Sequence, residues 1–285
     1  MRRPRARFLT MDLWLAVAAA LAICSSAGMG FENFAGLASV PVRISYESTS
    51  PITLHEPVIV KFSVNNGLAE RINLDLGTER KTHFVARLTK PNGSIVQLQW
   101  PEEAGFRANG RISVSPSRVF SQPLLLSELY YFDEPGDYQI QMRLTSPIQR
   151  VDGSKVTTPM TGIVRIRILP RDLATLSHLC ERLARTAERR SSFAESADAA
   201  VTLSYVIDPV TVPYLKRVVA IGDTWVNQIA IPGLARIADP DAIEALRLAA
   251  ESGNEATKGL AKYLLEKIQR GERDPLIRGA VDKVN

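Results

Sequence analysis

Apolar and polar residues alternate with a period of two from about residue 41 to 169, then recur with a period of roughly three and a half from about 172 to 271. The change falls in Ile168-Leu169-Pro170-Arg171-Asp172. Two is the side-chain period of a strand and 3.6 that of a helix, so the pattern predicts a multidomain chain, β then α, joined at Pro170. In the first part Val58, Val60, Phe62 and Val64 alternate with Ile59, Lys61, Ser63 and Asn65. Asn65-Asn66-Gly67 then supplies residues that tolerate the positive φ of a tight turn. Further strands are expected at 42–47, 71–76, 82–89, 94–99 and 118–126, with Pro91-Asn92-Gly93 closing a hairpin. The last two strands set Tyr138, Ile140, Met142 and Leu144 against Gln139, Gln141 and Arg143, and Val164, Ile166 and Ile168 against Arg165 and Arg167. Short strands with turn signals between them predict an antiparallel β-sandwich over 41–169.

Asp172 can cap the first helix, whose expected buried stripe is Leu173, Leu176, Leu179, Leu183 and Ala187. Ser192-Phe193-Ala194-Glu195 has the form of a capping box. Asp208-Pro209 recurs thirty-one residues later as Asp239-Pro240. At the same offset Ala199 matches Ala230, Leu203 matches Leu234, Val206 matches Ile237, Val212 matches Ile243 and Leu215 matches Leu246. Ala261, Leu265 and Ile268 continue the series, although Asp274-Pro275 comes four residues late. Each unit reads as helix, Asp-Pro turn, helix: the Asp accepts from uncommitted backbone N–H groups, and proline at the first helical position gives up an N–H that had no partner. One such pair cannot bury its apolar face alone, so stacking into an α-solenoid over 172–271 is expected. Pro213 and Pro232 fall inside helical runs and call for early or kinked turns.

Two stretches carry family resemblances. Glu56-Pro57-Val58-Ile59-Val60-Lys61-Phe62-Ser63-Val64-Asn65-Asn66 resembles the second-strand segment of bacterial immunoglobulin-like domains, and Glu134-Pro135-Gly136-Asp137-Tyr138-Gln139-Ile140 resembles their Pro-Gly-x-Tyr lead into the penultimate strand. The resemblance implies an Ig-like fold without the antibody disulfide, a group that includes adhesion modules and small proteinase inhibitors, and a tyrosine that pins its own corner. Leu203-Ser204-Tyr205-Val206-Ile207-Asp208-Pro209-Val210-Thr211-Val212-Pro213-Tyr214-Leu215, with its second copy from Leu234 to Leu246, resembles HEAT repeats. That resemblance implies protein binding on a curved helical face.

The N-terminus is expected to be a secretory signal, residues 1–27, followed by a linker over 28–40. Arg2, Arg3, Arg5 and Arg7 precede the uncharged run Leu13–Ile23, and Ser25-Ser26-Ala27 offers a cleavage site. Eleven apolar residues at about 1.5 Å each reach only about half of a ~30 Å hydrocarbon core. A retained anchor and acylation of Cys24 stay open as alternatives; residues 272–285 read as a tail. Removing four Arg and one Asp with the signal leaves 31 basic against 29 acidic residues, so nucleic-acid binding loses its compositional basis. Cys180 is then the only thiol, which excludes an intrachain disulfide.

Candidate contact residues are Arg143, Arg165 and Arg167 on one wet sheet face, and Lys216 and Arg247, equivalent by the repeat, with Arg217 and Glu244 beside them. The long connection from Pro147 to Thr161 is a further contact candidate, and Trp225 falls between units. Asp133, Glu134 and Asp137 match no calcium loop. His55, His83 and His178 have no metal-ligand spacing, and nucleophile elbows, phosphate loops and dinucleotide fingerprints are absent from the sequence. These observations lead to the expectation of a non-enzymatic exported protein-binding or scaffold protein of the cell envelope, periplasmic or extracellular. It is expected to have no cofactor, metal or small-molecule substrate, and to meet the membrane only through its signal. A proteinase inhibitor acting through a sandwich loop and an acidic glycan binder using the arginine face are the alternatives.

Overall fold

The structure, a computed structural model, describes residues 41–100, 110–189 and 192–272. The expected signal segment and linker, and all of the expected tail but Glu272, lie outside these residues. The β part contains β1 (Val42–Ser48), β2 (Ile52–Thr53), β3 (Ile59–Asn66), β4 (Ile72–Asp75), β5 (Phe84–Thr89), β6 (Ile95–Leu98), β7 (Arg111–Val114), β8 (Val119–Leu125), β9 (Gly136–Leu144), β10 (Gln149–Arg150) and β11 (Thr161–Leu169). They form sheets of order β1-β3-β8, β10-β4-β7 and β2-β11-β9-β5-β6; pairing is antiparallel except for β2 on β11. The expected strands are present. β2, β7 and β10 were not anticipated, because two to four residues are too few to display an alternation.

Alternation puts Val60, Phe62 and Val64 of β3 and Tyr138, Ile140, Met142 and Leu144 of β9 into one hydrophobic core. Phe62 packs edge-on against Phe84 at 4.9 Å and tilts against Tyr46 at 5.5 Å. Ser63, on the expected wet face, is instead covered, its hydroxyl 2.8 Å from that of Ser121 on β8. The turn after β3 is also not as expected: Asn65, Asn66 and Gly67 all have negative φ. Asn66 is fully buried, donating to the carbonyls of Glu70 and Val114 and accepting from Leu68 N–H. Gly67 is required by close approach, because a Cβ there would meet the Pro41 carbonyl oxygen at 2.8 Å. The Tyr138 hydroxyl donates to the Glu134 carbonyl at 2.9 Å, fixing the corner ahead of β9.

Six helices follow: α1 (Leu173–Arg189), α2 (Phe193–Ser204), α3 (Val212–Ala220), α4 (Thr224–Ile237), α5 (Pro240–Ser252) and α6 (Glu255–Gln269). Their buried side chains form a second core at the thirty-one-residue offset. Cys180, Thr211 and Ala242 are buried in α1, before α3 and in α5; Ala184, Leu215 and Leu246 follow, then Ala187, Val218 and Ala249. Ala199, Ala230 and Ala261 do the same in α2, α4 and α6. The N-caps of α2, α4 and α6 are Ser192, Asp223 and Asn254, again thirty-one apart. α1 packs against α2, α3 against α4 and α5 against α6, while α1-α3-α5 and α2-α4-α6 form two rows.

The repeat therefore begins one helix earlier than its Asp-Pro signal. Asp208 and Asp239 accept from Val210 N–H and Ala242 N–H as expected of caps, but each Asp-Pro stands between hairpins and not inside one. Leu173, placed in the α1 stripe by periodicity, is 51% exposed, since α1 has barely begun there. Pro232 lies inside α4. Beside it Gly233 lets α4 approach α2, where a Cβ would meet Ser204 Cα at 2.9 Å.

Thr53 and Arg171 fasten the junction between the two parts. The Thr53 hydroxyl donates to the Pro170 carbonyl at 2.9 Å and accepts from Asp172 N–H at 2.8 Å. Arg171 clamps the fully buried Asp208 carboxylate through Nε at 2.6 Å and a terminal nitrogen at 2.8 Å.

Candidate functional site

The structure separates the four helical candidates. Arg217 of α3 turns into the seam with α1, where it donates to both Glu188 oxygens at 2.9 Å and to Glu181, which Arg185 also holds. These carboxylates raise the Arg217 pKa, and the two guanidinium groups lower that of Glu181. Arg217 is thus part of the helix packing. Arg247 and Glu244 form a solvated pair on α5 at 3.4 Å. Lys216 lines a cavity.

That cavity is a groove of about 400 Å³ between α3 and α5. Val219, Leu234, Ala245 and Ala249 give it an apolar lining, and Leu248, 47% exposed, stands beside Lys216. Buried Asn227 and Thr257 close it near the N-termini of α4 and α6. With its amide nitrogen turned toward α3, Asn227 donates to the Val219 and Asp223 carbonyls at 3.0 and 3.2 Å and accepts from the Thr257 hydroxyl at 3.3 Å.

The repeat accounts for the difference in side-chain chemistry between this seam and the preceding one. In the α1–α3 seam the facing residues are Arg185, Glu181, Arg217 and Glu188. Thirty-one residues later the same positions hold Lys216, Val212, Leu248 and Val219. Both carboxylates have become valine and one of the two cations has become leucine, while the other cation remains. An ion-pair network lines the first seam; at those four positions the second has three apolar residues and one positive charge.

The sheet-face candidates share a surface but not a cluster. The register sets Arg167 opposite Asp137 (3.8 Å), Arg165 opposite Gln139, and Arg143 opposite Thr161 at the far end of β9. Arg87 of β5, opposite Gln141, adds a cation that sequence reading missed. The Pro147–Thr161 connection is not a free loop. Ile148 is buried, β10 pairs with β4, Arg150 pairs with Glu70, and the Met160 carbonyl accepts from the Tyr46 hydroxyl. Of the acidic turn, Glu134 pairs with Lys90 at 2.9 Å and Asp137 with Arg167.

A second cleft, about 490 Å³, lies between Ile52, Pro57 and Pro123 of the β part and Leu179, Leu183 and Ala199 of α1 and α2. Glu56, Glu195, Asp198 and Arg182 surround it, and desolvation raises the Asp198 pKa. His55 stacks on Tyr131 at 6.0 Å, its Nδ1 3.2 Å from the Tyr131 hydroxyl; burial lowers its pKa, against the opposing pull of Asp208. Cys180 is fully buried, its thiol pushed up to about 11 by desolvation. Trp225, in the first turn of α4, is 62% exposed, and Phe193, at the start of α2, is 64% exposed. Among the described residues, His, Cys, Asp and Glu form no group of three able to hold a metal ion. None of the helices described is long and apolar enough to cross a membrane.

No family model and no curated protein matches the chain. Among solved structures, the chain is similar to Pseudomonas fluorescens alkylpurine DNA glycosylase AlkC at 12% identity, covering 46% of this chain and 31% of that one with a TM-score of 0.23. It is similar to a CARDB domain from Pyrococcus furiosus at 9% identity, covering 50% and 100% with a TM-score of 0.24. A third similarity is to BslA, a bacterial hydrophobin, at 12% identity, covering 45% and 95% with a TM-score of 0.22. The chain thus spans about a third of the glycosylase, and likenesses this weak carry no functional argument.

Proposed function

We propose that this chain is a non-enzymatic, exported protein-binding or scaffold protein of the cell envelope, built from an immunoglobulin-like β-sandwich and a HEAT-like helical solenoid. The observation that carries this reading is the α3–α5 groove: where the first interface of the repeat carries an ion-pair network, the equivalent positions of the second hold valine, leucine and one cation, Lys216, beside exposed Leu248. Exposed Phe193, Trp225 and Tyr263, on α2, α4 and α6 of the other row, add apolar surface of the kind that marks protein contacts. The thirty-one-residue recurrence of buried positions supports the solenoid reading, and the Tyr138 corner supports the immunoglobulin-like one. Export rests on the N-terminal sequence pattern.

The test is retention of a discrete protein from an envelope extract on the immobilised chain, with Leu248→Asp run in parallel. Retention by the unsubstituted chain that the variant loses supports the reading; identical retention by both counts against the helical face. The arginine face of β5, β9 and β11 supports a second reading, binding of an acidic glycan. It requires binding that raised salt or Arg165→Glu abolishes.

A further inference from the structure

Resting on the protein-binding reading, we infer that the α3–α5 groove takes a segment of a partner protein in which a bulky apolar side chain stands next to a carboxylate. The repeat supplies the reasoning. In the α1–α3 seam, Arg185 and Arg217 are matched by Glu181 and Glu188. In the α3–α5 seam the positions of those two carboxylates are Val212 and Val219, while the cation at the Arg185 position persists as Lys216. Among the described residues lining the groove there is no carboxylate and one formal charge, Lys216. The missing half of the network is thus an anion, and Val219, Leu234, Ala245, Leu248 and Ala249 provide the apolar surface next to it. A cavity of about 400 Å³ lies near the lower end of the range that holds small ligands, about 300–1,000 Å³, which suits one or two side chains and not a whole helix.

The experiment uses the full chain, methyl-labelled at Ala, Leu and Val, titrated with acetyl-Gly-Leu-Asp-Gly-amide and with the counterparts carrying Asn or Lys in place of Asp. Methyl shifts are expected at Leu248, Val219 and Ala245. The Asp peptide is expected to bind about two- to fivefold more tightly than the Asn peptide, the range of an exposed ion pair, and the Lys peptide more weakly than either. Lys216→Gln should erase the Asp preference, so that the Asp and Asn peptides bind alike. Lys216 is exposed, so the variant's melting curve should match the unsubstituted chain. Equal binding of Asp and Asn peptides in the groove overturns the carboxylate assignment while leaving protein binding standing. Shifts mapping elsewhere, or none up to about 10 mM peptide, overturn the whole inference; the wider reading is then judged by the retention experiment.

Discussion

Replacing Arg171 by alanine would strip the Asp208 carboxylate, 1% exposed, of its bidentate partner and leave only the Val210 N–H among its observed donors. Breaking a fully buried pair from one side costs about 3–5 kcal/mol. Arg171 is 41% exposed, so water can enter its place, and about 2–3 kcal/mol is the reasonable expectation at neutral pH. For a chain of this size that lowers the melting temperature by about 4–12 °C. Asp208→Asn keeps an acceptor for Val210 N–H and removes the charge, so it should cost about 1–2 kcal/mol. The double variant should be more stable than Arg171→Ala alone, because it no longer buries an unmatched anion.

Burial alone would push the Asp208 carboxyl up, but the Arg171 guanidinium and the Val210 N–H outweigh it and hold the group below the usual carboxylate range. Its contribution is therefore present above the ordinary Asp pKa and is lost as pH falls through the folded value. In Arg171→Ala the opposing cation is gone, so destabilisation should be largest at neutral pH and fade on acidification toward about pH 4, where the carboxyl takes a proton. Urea unfolding followed by circular dichroism from about pH 2 to pH 7 measures both effects. A variant within about 0.5 kcal/mol of the parent at pH 7, or a loss that does not change with pH, would refute the reasoning.

Other perturbations test separate parts of the fold. Gly233→Ala should destabilise by about 1–3 kcal/mol despite alanine's better helix propensity, because its Cβ meets Ser204 Cα at 2.9 Å; a stabilised variant in thermal melts would show that α2 and α4 have room to part. Tyr138→Phe should cost about 0.5–1.5 kcal/mol through loss of the Glu134 bond, and unchanged stability would remove the corner from the account of the β part. Cys180, with its thiol pushed up to about 11 and no exposed surface, should resist alkylation at pH 8 until the chain is unfolded. Rapid labelling of the native protein would mean that the core around Thr211 opens.

The period change at Pro170 and the thirty-one-residue recurrence were legible because both are imposed by burial, which acts on residue type directly. The first helical unit was not. Cys180, Ala184 and Ala187 occupy the same buried places as Thr211 and Ala242, Leu215 and Leu246, and Val218 and Ala249 respectively, but the Asp-Pro signal is missing from α1 and the residues differ in size. Spacing showed Lys216 and Arg217 as neighbours on one helix. Consecutive helical positions diverge by about 100°, but spacing could not show that this sends one toward α5 and the other into α1. Arg171 and Asp208 lie 37 residues apart and meet only through the tertiary fold. The groove itself is visible only when the two seams are compared in space, since Leu248 and Val219 read along the sequence as ordinary apolar positions.

The most direct measurement is photo-crosslinking from a benzoyl-phenylalanine placed at Leu248 of the full chain in its native cells, with the same probe at Ile163, 55% exposed on the arginine-bearing sheet face, as the comparison. The expected result is a discrete protein adduct from position 248 that disappears when Lys216→Glu is added, and little or none from position 163. Adducts from position 163 only, or a position 248 adduct indifferent to the charge at 216, would contradict it.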